Sequence, residues 1–251
     1  MARQVRKKAD KVLYLYGITK SSESAPQIAG VDDVAPIETI PCAGLLCWIS
    51  WVSRIDFADN LAKNIENLDW LAAMSVRHQR AVSAIAEAHD ILPARFGTVF
   101  LTEVSLCQDI NNRKQALEAD FTRIQDSDEW GIKVFALPPQ TNPWPGMVRT
   151  GKDYLQAKST LLRKRTTKKA DVEIVRFADE LKAISEATAS GGSISGGRRD
   201  LQYQVSLLLK RSNRKKLQTL LQRFSRQWKQ TRSIECTGPW PAYSFVSRSI
   251  Q

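Results

Sequence analysis

The stretch RHQRAVSAIAEAHDILPARFGTVFL, residues 77–101, decides the fold of the first part of this 251-residue chain. Its apolar residues step by three or four, and the pattern predicts a helix over residues 68–89. Pro93 has no amide hydrogen and disfavours helix in the residue before it, so we expect the helix to end by Leu92. A strand is then expected over residues 96–101, with Gly97 marking a bulge or a close backbone approach.

Alternating apolar and β-branched residues predict several further strands, and helical periodicity predicts helices between them. The expected strands are residues 12–18, 37–40, 45–52, 130–137, 201–209, 233–236 and 243–246. A short helix or a turn is expected at 55–64. The other expected helices are 104–124, 152–189 and 213–230, with Asn213 as N-cap of the last. SGGSISGG, residues 190–197, has the composition of a linker.

Charge is distributed unevenly along the chain. Residues 1–150 hold 16 Lys/Arg against 18 Asp/Glu, a net of −2, whereas residues 151–251 hold 21 against 8, a net of +13. We therefore predict an α+β protein with two domains, one of residues 1–126 and a strongly basic C-terminal one of residues 127–251, with the boundary at the polar run QDSDE. The alternation of strands and helices in the second half suggests a modified ferredoxin-like α/β sandwich.

Composition excludes several classes of protein. No apolar run approaches the ~20 residues that span a bilayer, so no membrane is expected as a partner. The four cysteines, Cys42, Cys47, Cys107 and Cys236, are scattered and show no metal or redox spacing. We therefore expect no disulfide framework and a reducing cytoplasm, with Cys107 a buried, inert thiol.

Four segments together resemble the signature of the F/L family of gas-vesicle accessory proteins (GvpF and GvpL). They are LYLYGI (13–18), the opening stretch with ARFGTVFL, EWGIKVFAL (129–137) and TGPWPAYSFV (237–246). The resemblance implies an N-terminal α/β domain followed by a ferredoxin-like domain. The signature residues within its second segment are Arg77, His78, Arg95, Phe96 and Gly97.

The resemblance also implies a role in assembly. It implies that the chain binds the hydrophobic gas-vesicle shell subunit GvpA and assists nucleation or growth of the vesicle, with other gas vesicle accessory proteins as further candidate partners. Strand edges and apolar surface exposed on such a subunit invite aggregation, which a chaperone-like partner would prevent. We expect a cytoplasmic protein associated with the vesicle, with no enzymatic activity and no cofactor or metal.

His78 and His89 admit two interpretations. They lie eleven residues apart on one helical face, about 16 Å along an unbroken helix at 1.5 Å per residue, so they cannot share one metal ion. The favoured interpretation is that both are hydrogen-bonded at the helix–sheet boundary.

Arg77, Arg80 and Arg95 also admit two interpretations. The three could form an anion site near the helix end. The favoured alternative is structural pairing with nearby carboxylates, for which the candidates are Glu87, Asp90 and Glu103.

The basic C-terminal half suggests either an acidic protein partner or RNA. Tyr203 and Phe135 could stack bases on a ferredoxin-like sheet, but the aromatic-rich motif of RNA-recognition domains is missing, so RNA binding is the alternative and no nucleic acid is expected. We predict that a cationic cluster and a set of aromatic residues contact the partner. The cations are Arg163, Lys164, Arg165, Lys168 and Lys169, and the aromatic residues are the proline-flanked Trp144 and Trp240 with the nearby Tyr243. For the tryptophan loops the favoured interpretation is that they cap the core, and an exposed pair would instead form an apolar patch suited to a partner.

Catalytic patterns receive no support. SGGSISGG has the wrong spacing for a phosphate-binding loop, and its serines have no histidine or acid nearby in sequence. The prediction is a binding protein.

Overall fold

The computed structural model describes residues 10–21, 28–138, 172–190 and 198–247. The chain forms two compact units, one of Met1–Glu129 with Gly238–Gln251 and one of Trp130–Thr237. The expected boundary at residues 126 and 127 placed the whole C-terminal end in the second domain, whereas the last residues group with the first unit. The second unit is therefore an insertion in the chain of the first.

A strand that is buried along almost its whole length runs through the sheet of the first unit. In β1 only Lys11 is exposed, because Tyr14 and Tyr16 face the helix α2 while Leu13 and Leu15 point to the opposite face. The sheet has the order β2-β3-β1-β4, β5 also pairs with β1, and the pairings are antiparallel. The strands are β1 (Lys11–Thr19), β2 (Glu38–Cys42), β3 (Leu45–Ser53), β4 (Leu92–Pro93) and β5 (Val99–Phe100).

Four α-helices, one π-helical turn and the 3₁₀ turn Tyr243–Phe245 complete the described part of this unit. The predicted helix over 68–89 is confirmed: its N-cap is Asn67, whose side chain accepts hydrogen bonds from Asp69 N and Trp70 N, and it ends at Ala88. The bounds are a π-helical turn at Ile55–Asp59, α1 (Leu61–Glu66), α2 (Leu68–Ala88), α3 (Glu103–Asn112) and α4 (Lys114–Ile124).

Two expectations about helices and thiols were wrong in this unit. The predicted helix 104–124 is two helices that break at Arg113. Cys107 is not a free thiol, since its sulfur is bonded to that of Cys42, 65 residues earlier in sequence. The disulfide joins the end of β2 to α3. Cys47 is a free, buried thiol, and burial raises its pKa to about 12.

The second unit has the ferredoxin-like order β-α-β-β-α-β in its described residues, which confirms that expectation. Its sheet has the order β7-β8-β6-β9, and Phe177 packs edge to face with Phe224 and with Trp228. The elements are β6 (Ser127–Ala136), α5 (Val172–Ile184), β7 (Ala187–Ser190), β8 (Leu201–Lys210), a 3₁₀ turn at Arg211–Asn213, α6 (Arg214–Gln227) and β9 (Arg232–Trp240).

Three predicted elements of the second half differ. The helix expected over 152–189 is helical from Val172 to Ile184 in its described part, and the chain then forms β7. Asn213 lies at the N-cap of α6, but its side chain donates to Ile184 O at 3.1 Å instead of capping the helix. The strand expected at 243–246 is a 3₁₀ turn, Tyr243–Phe245. Both classes of element occur in each unit, and the α+β class is confirmed.

Candidate functional site

Residues 94–98, here called the signature loop, interrupt the strand that pairs with β1. Pro93 and Leu92 pair with Gly17 and Ile18, and the pairing resumes only at Val99. The loop is held at both ends, because Ala94 N donates to Tyr16 O and Leu15 N donates to Thr98 O, each at 2.9 Å.

The strand predicted over residues 96–101 was therefore wrong apart from β5. Gly97 has φ +80°, a left-handed conformation that favours glycine, and it turns the chain where a strand was expected. Thr98 N donates to Arg95 O at 3.1 Å, which closes this turn.

His78 connects the signature loop to a distant part of the sequence. Its Nδ1 lies 2.9 Å from the Tyr14 hydroxyl, and its Nε2 lies 3.3 Å from the Tyr243 hydroxyl. Gly97 N donates to the same Tyr14 oxygen at 3.1 Å. The tautomer with the ring proton of His78 on Nε2 suits this geometry, because Tyr14 can then accept from Gly97 N and donate its own proton to Nδ1. One buried side chain thereby orders the loop and Tyr243.

Burial keeps this group of side chains neutral. Burial lowers the pKa of His78 from 6.5 to about 4, against the opposing effect of a hydrogen bond to the Ala94 backbone. Burial likewise raises the pKa of Tyr14 and of Tyr243 above its usual value. Both ring nitrogens of His78 face tyrosine hydroxyls and the ring also bonds the Ala94 backbone, so the imidazole serves as a positioning group.

Residues 243–247, here called the C-terminal segment, are fastened by two buried carboxylates. Glu129 accepts from Ser244 N at 2.8 Å and from Ser244 Oγ at 2.6 Å. Asp120 accepts from Ser247 N at 2.7 Å and from Ser247 Oγ at 2.9 Å. The segment is therefore held in place next to His78.

Arg123 adds a third attachment for this segment. Its guanidinium donates to Asp120 at 2.7 Å and to the carbonyl oxygen of Phe245 at 2.8 Å. These contacts are charge-assisted, and contacts of that kind are about twice as strong as neutral hydrogen bonds.

A cleft of about 270 Å³ opens between the signature loop and the C-terminal segment, both in the first unit. Its walls combine apolar side chains with a polar rim. The described residues that line it are Leu15, Ile18, Leu92, Pro93, Ala94, Arg95, Phe96, Gly97, Thr98, Arg113, Leu117, Tyr243, Val246 and Ser247. Three of the predicted signature residues and one predicted partner residue, Tyr243, thus meet at one site.

The three arginines considered for an anion site, Arg77, Arg80 and Arg95, do not all share one partner among the described residues. Arg80 and Arg77 both pair with Asp33, at 3.0 and 3.8 Å, and not with the carboxylates expected from the sequence. The hydrogen bond from Arg80 and the nearby charge of Arg77 lower the pKa of Asp33. Arg95 is exposed at the cleft and makes no ion pair within the described part of the chain. A single anion site built from all three arginines is therefore absent among the described residues.

The second predicted histidine plays a separate part. His89 follows the end of α2, and its ring centre lies 5.7 Å from that of Trp48. No group of three or more His, Cys, Asp or Glu residues in the described ranges could hold a metal ion. Among the same residues, none of the helices is long and apolar enough to cross a membrane.

The predicted basic and aromatic contact residues are only partly described. Arg163, Lys164, Arg165, Lys168, Lys169 and Trp144 lie outside the described residues. Trp240 ends β9 and is 42% exposed, which suits contact with a partner more than capping of the core. A second basic surface, the basic face of α6, comprises Arg214, Lys215, Lys216, Arg223 and Arg226.

Tyr203 and Phe135, the aromatic residues that could stack a base, pack against other side chains of the second unit. Tyr203 packs on the helix side of the sheet, 6.2 Å from Phe177 between ring centres. Phe135 is buried, and the Arg198 guanidinium lies 3.9 Å above its ring. Neither ring is presented on an open sheet face, which disfavours the RNA alternative.

Sequence reasoning missed the carboxylates that hold the C-terminal segment. One signal was available: Leu117, Asp120, Phe121 and Ile124 share the helical spacing of a buried face, so a carboxylate stands on the apolar side of α4. A charge in such a position requires a partner. The identity of that partner, 127 residues away, has no local signal.

Known proteins resemble this chain over nearly its full length. Residues 12–247 match the family described as gas vesicle synthesis protein GvpL/GvpF. Gas vesicle protein L of Streptomyces sp. (strain CB03234) is 25% identical, over 94% of this chain and 93% of that protein.

Solved structures share the fold. The crystal structure of the gas vesicle protein GvpF from Anabaena sp. PCC7120 matches with a TM-score of 0.69 at 17% identity, over 96% of this chain and 99% of that one. GvpF from Microcystis aeruginosa matches with a TM-score of 0.67 at 18% identity, over 94% and 99%. Because the family match spans residues 12–247, the chain belongs to the GvpL/GvpF family of gas vesicle synthesis proteins.

Proposed function

We propose that this protein binds the hydrophobic shell subunit GvpA during nucleation and assembly of the gas vesicle and prevents its aggregation. Membership of a gas vesicle synthesis family supports a role with other gas vesicle proteins. The role is one of binding and not of catalysis. Apolar contacts supply affinity, and a basic surface of the second unit steers acidic residues of the subunit toward the protein.

The observation that supports electrostatic steering is that the charged side chains of α6 are all positive. This helix has the sequence RKKLQTLLQRFSRQ, with five cations and no carboxylate, and it buries Leu217, Leu220 and Phe224. Lys215, Lys216 and Arg226 are exposed and make no ion pair with any described residue. Unpaired cations on one face attract an acidic partner over about 10 Å at moderate salt.

A row of exposed apolar residues on α2 supports the apolar contacts of the proposal. Leu68 and Val76 are 76% and 69% exposed, and with Ala72 they step by four along one face of α2. Apolar side chains in a row on a rigid helix suit contact with a hydrophobic subunit.

Binding of purified GvpA across a salt series tests this function. We expect wild-type affinity to fall as ionic strength rises from about 0.05 M to about 0.5 M, because screening shortens the reach of the basic face. The triple variant Lys215→Gln, Lys216→Gln, Arg226→Gln should bind about tenfold more weakly at low salt and lose most of the salt dependence.

The matched control replaces three exposed cations of the first unit, Arg54→Gln, Lys63→Gln and Lys114→Gln, and should retain wild-type affinity. If wild-type protein does not bind GvpA, the proposed function is wrong. If binding occurs but neither salt nor the α6 variant changes it, only the steering role is wrong.

A further inference from the structure

The cleft beside the signature loop has an apolar interior and a cationic rim. Leu15, Ile18, Leu92 and Leu117 supply apolar wall, and Arg95 supplies positive charge, since the other arginine of the lining, Arg113, is paired with Asp109. None of the described residues that line it is acidic. An occupant that carries negative charge next to an apolar group therefore matches these walls.

Arg95 differs from the other arginines of the first unit that lie near carboxylates. Arg80 is paired with Asp33, Arg113 donates from Nε to Asp109 at 3.0 Å, and Arg123 is paired with Asp120. The guanidinium of Arg95 has no such partner among the described residues. A planar guanidinium at the edge of a cleft suits a carboxylate, to which it can donate two parallel hydrogen bonds.

The backbone that carries Arg95 is fixed in advance. Arg95 O accepts from Thr98 N at 3.1 Å and from Thr98 Oγ1 at 2.8 Å, while Gly97 N donates to Tyr14. The opposite wall is fixed as well, because Ser247 is bound by Asp120. A site whose walls are already ordered loses little entropy when it binds a ligand.

The volume limits what the cleft can hold. At about 270 Å³ it is smaller than most cofactor or drug-sized sites, which begin near 300 Å³. One or two side chains of a protein segment fill such a space.

We infer that the cleft binds a short segment of a partner protein, with an apolar side chain seated among the leucines and an adjacent carboxylate paired with Arg95. The inference rests on the proposed function, in which the partner is the shell subunit. It adds the binding site and the chemistry of the segment recognised there.

Overlapping synthetic peptides that cover the shell subunit, titrated calorimetrically into the full-length chain, test the site. At least one peptide with an apolar residue beside Asp or Glu should bind. Arg95→Gln should weaken that peptide about tenfold or more, since it removes a charge-assisted pair. Replacing the peptide carboxylate with its amide should reduce the affinity by the same factor. The two changes together should reduce the affinity little more than either change alone.

Val246→Trp provides a second, independent variant, because the larger side chain would fill the cleft and abolish peptide binding. Arg54→Gln is the matched control: it is an exposed arginine of the same unit, 48% exposed and paired with Asp59, and it should leave peptide affinity unchanged. Circular dichroism should show all three variants folded, because Arg95 makes no ion pair with a described residue and the half-buried Val246 lines the cleft.

Two negative results are distinguishable. In the first, the wild-type chain binds the whole shell subunit, and Arg95→Gln and Val246→Trp bind the subunit and its peptides as tightly as wild type does. The cleft is then not the binding site, and the proposed function stands. If the wild-type chain binds neither the subunit nor any peptide, the proposed function fails and the cleft inference fails with it.

Discussion

His78 shows how one buried side chain organises three distant parts of the chain. It bonds Tyr14 in β1 and Tyr243 in the C-terminal segment, and Gly97 joins through the Tyr14 hydroxyl. A buried polar group is costly unless its hydrogen bonds are made, and here both ring nitrogens have partners. The residue therefore contributes order to the cleft without being exposed to a ligand.

The low pKa of His78 predicts acid sensitivity. Between pH 6.5 and about 4 the unfolded chain binds a proton at this ring that the folded chain does not, so acidification favours unfolding. The stabilisation is fully present above pH 6.5 and is lost as the pH falls toward about 4. Urea titrations of wild type should show a loss of about 2 kcal/mol between pH 7 and pH 5 from this group.

His78→Gln is the control for that titration. The variant lacks the titrating ring, so its stability should be lower at pH 7 but should change less than wild type over the same pH range. Parallel pH profiles for the two proteins would contradict the assignment of a neutral, buried His78.

At the scale of elements, the C-terminal segment is a short 3₁₀ turn held by side chains. The turn Tyr243–Phe245 has too few residues to be stable by itself. Glu129 binds the backbone and hydroxyl of Ser244 within it, and Asp120 binds those of Ser247 just after it. One wall of the cleft thus depends on α4 and β6. The shape of the cleft is therefore sensitive to substitutions outside it.

Asp120→Ala tests this dependence. The substitution leaves Ser247 and Arg123 without their shared acceptor, so we expect a loss of about 2–3 kcal/mol of unfolding free energy. Hydrogen exchange measured by mass spectrometry should rise in residues 243–247. Glu118→Ala is the control: it removes an exposed carboxylate two residues away on the same helix, and it should change stability by less than about 0.5 kcal/mol.

At the scale of the whole molecule, the chain leaves the first unit after Glu129 and returns at Gly238. The inserted unit has its own core, which includes Trp130, Phe177, Leu207 and Phe224, and every described residue of this core belongs to that unit. A compact unit with its own hydrophobic core is expected to fold independently.

A fragment of residues 127–240 should therefore unfold cooperatively. Thermal denaturation followed by far-ultraviolet circular dichroism and tryptophan fluorescence should give coincident transitions. Leu181→Ala in the fragment should lower stability by about 2–5 kcal/mol, because Leu181 is fully buried in that core. A gradual transition that is indifferent to Leu181→Ala would show that the inserted unit needs the first unit in order to fold.

Local patterns in the sequence were sufficient for the main elements. The helix over 68–88 and the strands β1, β3 and β8 follow from periodicity, because burial of one face imposes a spacing on each segment separately. The order of elements predicted the ferredoxin-like unit, and four motifs indicated the family that the full-length comparisons show. Within the candidate site, the sequence indicated Arg95, Phe96, Gly97 and Tyr243.

Only the tertiary structure decided which groups meet. Periodicity shows that Asp120 and His78 face inward, but their partners Ser247 and Tyr243 lie 127 and 165 residues away. The pairing of Arg80 with Asp33, the Cys42–Cys107 bond and the turn at Gly97 likewise depend on how separate segments pack. The cleft exists because those long-range contacts bring the two ends of the chain's first unit together, and no local spacing in the sequence encodes such a meeting.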